Sequence, residues 1–347
     1  MQYKLRNGKF HFLLITFSIS LAVQAQTREE AIRKKMTDSI KWVMLGEYAK
    51  IYPTLRQMNV SNILVMKRRF DTELNGDKVL SGKVLTNRVQ GNFNLPLYSR
   101  NGSVVNAAFT YSNNYLDFTE RRTALAPGGK TFADARLSPN TYGLTLSYSK
   151  SDTLFNRPVV YSLGVNGVTG KSDAIQKLSF IGTMVFVLKR TPVTSLSVGG
   201  IFLIDPSLSV PFIPVVSYAH TFRSSGLQLL VDLPQRAILR KQLGKKCWAT
   251  AGTEIASSVS FLDLAQYNLP DETNYSTFDL KNGINFEHMV SPRIVAGIGA
   301  GMFTTVSSRM FKAREKSNDY FLNDRNRMAP YLNVSVSFLP FLKPLIR

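Results

Sequence analysis

The 347-residue chain holds one cysteine, three histidines and two tryptophans. Each scarcity removes a class of protein. The lone Cys247 cannot close an intramolecular disulfide, which excludes a small stapled secreted scaffold. No CxxC motif or mixed His/Cys spacing surrounds it, so the thiol reads as buried and inert. Beyond the first 25 residues no stretch approaches the roughly 20 consecutive apolar residues of a membrane-spanning helix. VVSYAHTF (215–222), for example, is too short and too polar. A helical inner-membrane transporter is therefore excluded. There is no G-x-G-x-x-G, no P-loop and no G-x-S-x-G. The glycine-rich GIGAGM (297–302) lies inside a strand pattern, where small residues ease close packing or curvature.

Charge of one sign is also in short supply. Lys and Arg number 43 against 23 Asp and Glu, a formal +20. The basic residues are scattered, with KMTDSIK, MKRRF, ILRKQLGKK and RMFKAREK the densest places, and none forms a nucleic-acid motif. Nucleic acid is not an expected partner. The charge points instead to anionic headgroups or to an anion-attracting lumen.

The first 25 residues read as an export signal. Lys4, Arg6 and Lys9 precede the apolar FLLITFSISLAV (12–23), and Val23-Gln24-Ala25 supplies small residues before a cut after Ala25. Removing the three basic residues of this leader from +20 leaves +17. Gln26 follows, so nothing supports a lipoprotein anchor. TREEAIRKKMTDSIKWVML (27–45) is the one helical candidate, with Ile32, Met36, Ile40 and Val43 at spacings of three and four. The expected division is a signal over 1–25, a periplasmic segment with a short helix over 26–58, and a strand domain over 59–347.

Period two governs that last part. In YLNVSVSF (331–338), Leu332, Val334, Val336 and Phe338 share one face and Asn333, Ser335 and Ser337 the other. TYGLTLSYS (141–149) and STFDLKNGINFEH (276–288) alternate in the same way, whereas SFIGTMVFVLK (179–189) and TSLSVGGIFLI (194–204) are more apolar. Twelve such strands follow residue 82. Two more, at 59–70 and 235–242, are arguable. A soluble β-sandwich shares the period. Three features favour a barrel in lipid: charges on otherwise polar faces (Arg88, Asp279, Lys281, Glu287), which suit a watery lumen; aromatics near strand ends, such as Tyr98, Tyr148, Phe222 and Phe338; and strands of ten residues or more. The expected fold is all-β, a transmembrane antiparallel up-and-down barrel of twelve strands, or fourteen if both arguable segments count. Loop lengths resist this scheme. Twelve strands put the long 119–140 segment among the short turns, and adding only 59–70 misplaces 306–327 instead.

The chain resembles a family of outer-membrane β-barrel proteins of unknown function common in Bacteroidota. The resemblance rests on NFNLPLY (92–98) and on DPSLSVPFIPVVSYAHTFRSSGLQLLVDLPQRAILR (205–240), where a proline-rich loop feeds a strand, a tight turn and an LP. It implies the fold and the outer membrane of a Gram-negative bacterium, and no activity.

A catalytic or metal site is not legible. No serine lies two residues beyond His220 or His288, the local arrangement of an outer-membrane phospholipase. Both histidines share parity with apolar neighbours. Asp319 and Asp324 in NDYFLNDRNR (318–327) lack regular calcium-ligand spacing. No cofactor and no metal are expected. The lumen-facing candidates are Arg88, Gln90, Asn92, Asn106, Asn166, Lys281, Asn285 and Glu287, and the lipid-facing ones are Leu332, Val334, Val336 and Phe338. These point to a channel or transporter for small or lipidic solutes. A structural or adhesive barrel that binds lipid is the alternative, and a lipid-modifying enzyme a more distant one. The partners implied are outer-membrane lipids or lipopolysaccharide and the barrel-assembly machinery.

Overall fold

The computed structural model describes residues 44–123, 131–171, 174–205, 207, 210–263, 270, 272–342 and 344. The signal segment and nearly all of the 27–45 helical candidate lie outside these residues. Two units are distinguishable, Met1–Leu55 and Arg56–Arg347. In the first, residues 44–51 are helical and Pro53–Leu55 form a 3-10 turn.

The second unit is a closed antiparallel barrel. Its strands are β1 (Met58–Leu74), β2 (Asp77–Arg100), β3 (Ser103–Thr123), β4 (Thr131–Phe132), β5 (Ala135–Leu137), β6 (Asn140–Leu154), β7 (Arg157–Thr169), β8 (Lys177–Arg190), β9 (Thr194–Ile204), β10 (Phe212–Thr221), β11 (Leu227–Leu233), β12 (Arg236–Gln242), β13 (Cys247–Leu262), β14 (Thr273–Ser291), β15 (Ile294–Lys312), β16 (Leu322–Asn326) and β17 (Ala329–Phe338). All seventeen belong to one sheet. Three short pieces, β4, β5 and β16, only extend the walls beside β3, β1 and β15, which leaves fourteen strands in the ring. The ring closes where β17 pairs with β1, from Met58↔Phe338 to Val65↔Tyr331. Closure removes the exposed edge that no strand can afford in hydrocarbon.

Both arguable segments are thus strands, β1 and β12, and this resolves the loop problem. The start of β1, the end of β17 and the turns 100–103, 154–157 and 291–294 lie at one rim, here called proximal. The long 123–140 and 312–329 connections both lie at the other, distal rim. The connection between β1 and β2 is a two-residue turn. Asn75 and Gly76 take φ of 51° and 96°, and Asn101 and Gly102 repeat the arrangement at 48° and 77°. Positive φ at both central residues gives the hairpin turn whose twist matches its strands, and Asn-Gly provides it with least strain.

Alternation sends one set of side chains outward. Leu144, Leu146, Leu163, Phe180, Phe202, Ile284, Phe286, Ile298 and Val334 are all large, apolar and exposed. Together they form an apolar band around the wall, far more than a soluble monomer leaves uncovered. On β1 the band ends at Met66. A register shift between Val65 and Arg68 follows, and Lys67, Arg69, Asp71 and Glu73 then occupy the outward positions.

Candidate functional site: the barrel lumen

The inner face is two-sided. Along β1–β3 and β13–β17 it is packed and nearly dry. Ile63, Val65, Phe303, Ala329 and Tyr331 make one buried cluster, and Phe70, Val84, Leu116 and Tyr275 another nearer the distal rim. Arg68 and Arg88 lie on the Phe303 ring, their guanidinium carbons 5.2 and 5.9 Å from its centroid. Glycines on β14 and β15 permit this packing. A Cβ at Gly301 would stand 2.0 Å from the Asn282 carbonyl, and one at Gly283 would stand 2.8 Å from the Tyr331 hydroxyl.

Polar contacts then cross the lumen. Arg88 Nη2 reaches Asp279 Oδ2 at 3.2 Å, and its Nε donates to Asn114 Oδ1 at 2.7 Å. Asn114 Nδ2 donates to Ser260 Oγ at 2.8 Å, and the Thr141 hydroxyl donates to the Val259 carbonyl at 3.1 Å. Asp279 also accepts from Thr277 and Thr305 at 2.9 and 2.7 Å. The carboxylate and guanidinium are thus paired and hydrogen-bonded, the condition for burying charge. β6 is the fourth strand of the ring and β13 the eleventh, so the wall folds inward until opposite strands touch. One lobe, between β1–β3 and β14–β17, is filled by side chains.

The proximal end carries its own closure. Arg56, just ahead of β1, makes a two-point ion pair with Glu287 and donates to Ser337 Oγ at 3.1 Å. The Trp248 indole N–H donates to the same carboxylate. Arg240 lies 5.0 Å above the Trp248 ring and donates to Gln228 at 2.9 Å. Gln57 fastens the seam beside it. Its N–H donates to the Phe338 carbonyl at 2.8 Å, its amide donates to the Asn94 carbonyl, and its Oε1 accepts from Phe341 and Leu342.

The other lobe is open. Ser162, Asn166, Thr183, Val185, Ile201 and Ser217 on β7–β10 point inward and are only half-buried. Here the face is mixed. Thr145, Asn166, Ser162 and Thr183 bond pairwise at 3.0 and 2.7 Å. Beside them Ile181, Val185, Ile201, Leu203, Ile213 and Val215 form an apolar ladder, in register as Ile181↔Leu203 and Ile213↔Ile201. This is why the sequence alternation fades in β8 and β9: both of their faces are apolar. Between the lobes a polar cavity of about 400 Å³ is lined by Asn59, Ser61, Gln90, Asn92, Thr141 and Ser258.

The sequence candidates distribute as follows. Gln90 and Asn92 line this cavity. Asn166 bonds Thr145 in the open lobe, and the Asn106 carbonyl accepts from Ser147 at 3.3 Å. Lys281 pairs with Glu254 at 2.8 Å. The Asn285 carbonyl accepts from Thr250 at 3.4 Å. Arg88, Asp279 and Glu287 differ from the watery setting expected of them. They are 4%, 1% and 8% exposed, because they are partners in closures rather than linings of a channel. Leu332, Val334 and Val336 are exposed on the outer face, while Phe338 is half-buried beside Phe341. His220 bonds Thr194 and stacks with Tyr218 on the outer wall. Cys247 is not the isolated buried thiol that its surroundings in sequence suggested. It is half-buried, with its Sγ 2.9 Å from His288 Nδ1, a contact made only by the Cys247↔His288 register of β13 and β14. Among the described residues no cluster of three or more metal-ligating side chains forms.

No family model and no curated protein matches the chain. Solved barrels do. An outer membrane channel from Pseudomonas putida F1 is 9% identical, covering 82% of this chain and 96% of its own at a TM-score of 0.35. The translocator domain of the autotransporter NalP from Neisseria meningitidis is 10% identical (88% and 98% covered, TM-score 0.27), and a Pseudomonas aeruginosa FadL homologue is 9% identical (82% and 90%, TM-score 0.25). At such distances none of these likenesses carries a role over.

Proposed function

We propose that the protein is an outer-membrane channel for small amphiphilic solutes. The observation that carries this reading is the divided inner face of the open lobe. An apolar ladder on β8–β10 runs beside hydroxyls and amides on β6–β8, so a solute with an apolar tail and a polar head finds a partner for each part. A purely polar pore has no use for Ile181, Val185, Ile201 and Ile213 in a position where water reaches them, since exposing apolar area costs about 25 cal/mol per Å². The apolar outer band, the closed ring and the export signal support the location. Proteoliposomes test it. They are expected to take up a fluorescent medium-chain carboxylate faster than a sugar of similar mass, and Ile201→Asn is expected to slow the carboxylate alone. Wild-type protein that passes neither solute and gives no conductance in planar bilayers would refute the reading.

A second reading, a barrel without transport, draws on the filled lobe and on the Arg56–Glu287 closure. The same uptake assay separates the two.

A further inference from the structure

Two strands are too short for the wall they belong to. β11 and β12 have seven residues each. At about 3.3 Å per residue and a tilt of about 45° they climb roughly 16 Å, against an apolar band about 25 Å tall. Their neighbours go on. β10 pairs with β11 only from Val216↔Leu233 onward, so Phe212–Val215 have no ladder on that side among the described residues. β13 leaves β12 at Arg236↔Glu254, followed by one bond from Ile255 N–H to the Gln235 carbonyl. Its remaining residues to Leu262 pair only with β14 and lean across the lumen, as the Thr141–Val259 bond shows. Pro214 sits on the free stretch of β10, and proline within a sheet is confined to such edges.

From this gap we infer that the lumen opens sideways, through a window above the Leu233–Arg236 turn, and that an amphiphile with a single apolar tail passes through it between the open lobe and the surrounding hydrocarbon. The proposal rests on the amphiphile-channel reading and adds the route. The chemistry around the window fits that class of solute. Ile213 and Val215 belong to the inner apolar ladder and also stand on the free edge, so the ladder runs without interruption to the opening. Leu233 and Phe212 flank the window outside, both exposed. Its sill is polar: Asp232 accepts from Ser217 at 2.6 Å and pairs with Arg236 at 2.9 Å. Unpaired backbone at membrane depth is tolerated only where it is buried in protein or lines a water-filled cavity, and the open lobe beside the free edge of β10 offers such a cavity.

Lengthening the hairpin tests this. Four alternating residues added to each of β11 and β12 would ladder against the free edges and shut the window. Uptake of the fluorescent carboxylate is expected to fall by roughly tenfold or more, with ion conductance unchanged. Uptake at the wild-type rate through a lengthened hairpin that still migrates as a folded barrel would overturn the proposal. A second measurement needs neither that variant nor any transport. In a Cys247→Ser background, a fluorophore on Val215→Cys is expected to be quenched by nitroxides on phospholipid acyl chains several-fold more than one on Thr183→Cys, which faces the same lumen away from the gap. Equal quenching at the two sites would refute the window. Wild-type protein that takes up no carboxylate while the label at 215 is quenched would refute the channel reading and leave the window standing.

Discussion

Arg56 and Glu287 meet inside the lumen at 2.6 and 3.0 Å across 231 residues of sequence, and that pair shuts the proximal end of the barrel. Its geometry defines what each substitution leaves behind. In Glu287→Gln, Arg56, a cation 2% exposed, loses the carboxylate at its fork, and breaking a buried pair in this way costs about 3–5 kcal/mol. Arg56→Ala leaves the carboxylate with the Trp248 N–H and removes the obstruction. Urea unfolding is expected to show the loss in the first variant. Bilayer recordings are expected to show a larger single-channel conductance in the second. An unaltered conductance for Arg56→Ala would mean that the proximal closure lies elsewhere.

How much of this was legible beforehand depends on whether a feature is local. β17 was, because Leu332, Val334 and Val336 alternate without a break. β1 was marginal because its inward residues run Ile63, Val65 and then Arg68, a shift of parity at the register change that breaks period two. β12 was marginal because seven residues with three charges carry little pattern. Parity alone put Arg88, Asp279 and Glu287 on the inner face. It could not say that Arg88 would reach Asp279, or Arg56 reach Glu287, since those meetings depend on how far the wall folds inward. The Cys247–His288 contact and the short β11–β12 hairpin are likewise products of register. The LP before Arg236 marked the turn, but not that the turn comes too soon.

Val334 and Ser335 provide a paired test of which face meets lipid. Val334 is 49% exposed on the outer wall, and Ser335 is its inward neighbour on β17. Arginine at 334 is expected to cost about 2–4 kcal/mol near the midplane. Spin labels at cysteines in these positions discriminate more sharply than stability. Oxygen, concentrated in lipid, is expected to relax the label at 334, and a water-soluble relaxant the one at 335. Water access at both would place this strand outside a membrane.

Positive charge stands outside the lumen as well as inside it, where Arg68 and Arg240 are also buried. Inside, Arg56, Arg88, Arg236 and Lys281 are matched by Glu287, Asp279, Asp232 and Glu254. At the proximal rim, Arg157, Lys189, Arg190, Arg223, Lys245 and Lys246 are exposed. Basic side chains beside an anionic leaflet gain about 1 kcal/mol each. Spin-labelled phosphatidylglycerol is expected to be enriched over phosphatidylcholine around the wild-type barrel. The enrichment is expected to fade at about 1 M salt, where the Debye length is near 3 Å, and in a variant with these six residues changed to Gln. Equal enrichment in that variant would detach the charge from headgroup binding.

Asp324 should make the distal rim pH-sensitive. It lies on β16 opposite Thr72, above the level where Lys67, Arg69 and Asp71 take over the outer face, and so beyond the apolar band. Burial pushes its carboxyl from 3.8 up to about 6, opposed by the hydroxyl that Thr72 donates at 2.5 Å and by the nearby Arg68 charge. A carboxyl raised in the folded state binds its proton more tightly there than in the unfolded chain. Its contribution is therefore fully present below pH 3.8 and is lost as pH climbs through about 6. Asp324→Asn keeps an acceptor for Thr72 and removes the charge. The variant is expected to match wild type near pH 4 and to gain on it above pH 6, as read from the temperature at which gel migration shifts from folded to unfolded. A constant difference between the two proteins across pH 4–8 would show that Asp324 does not titrate in this range.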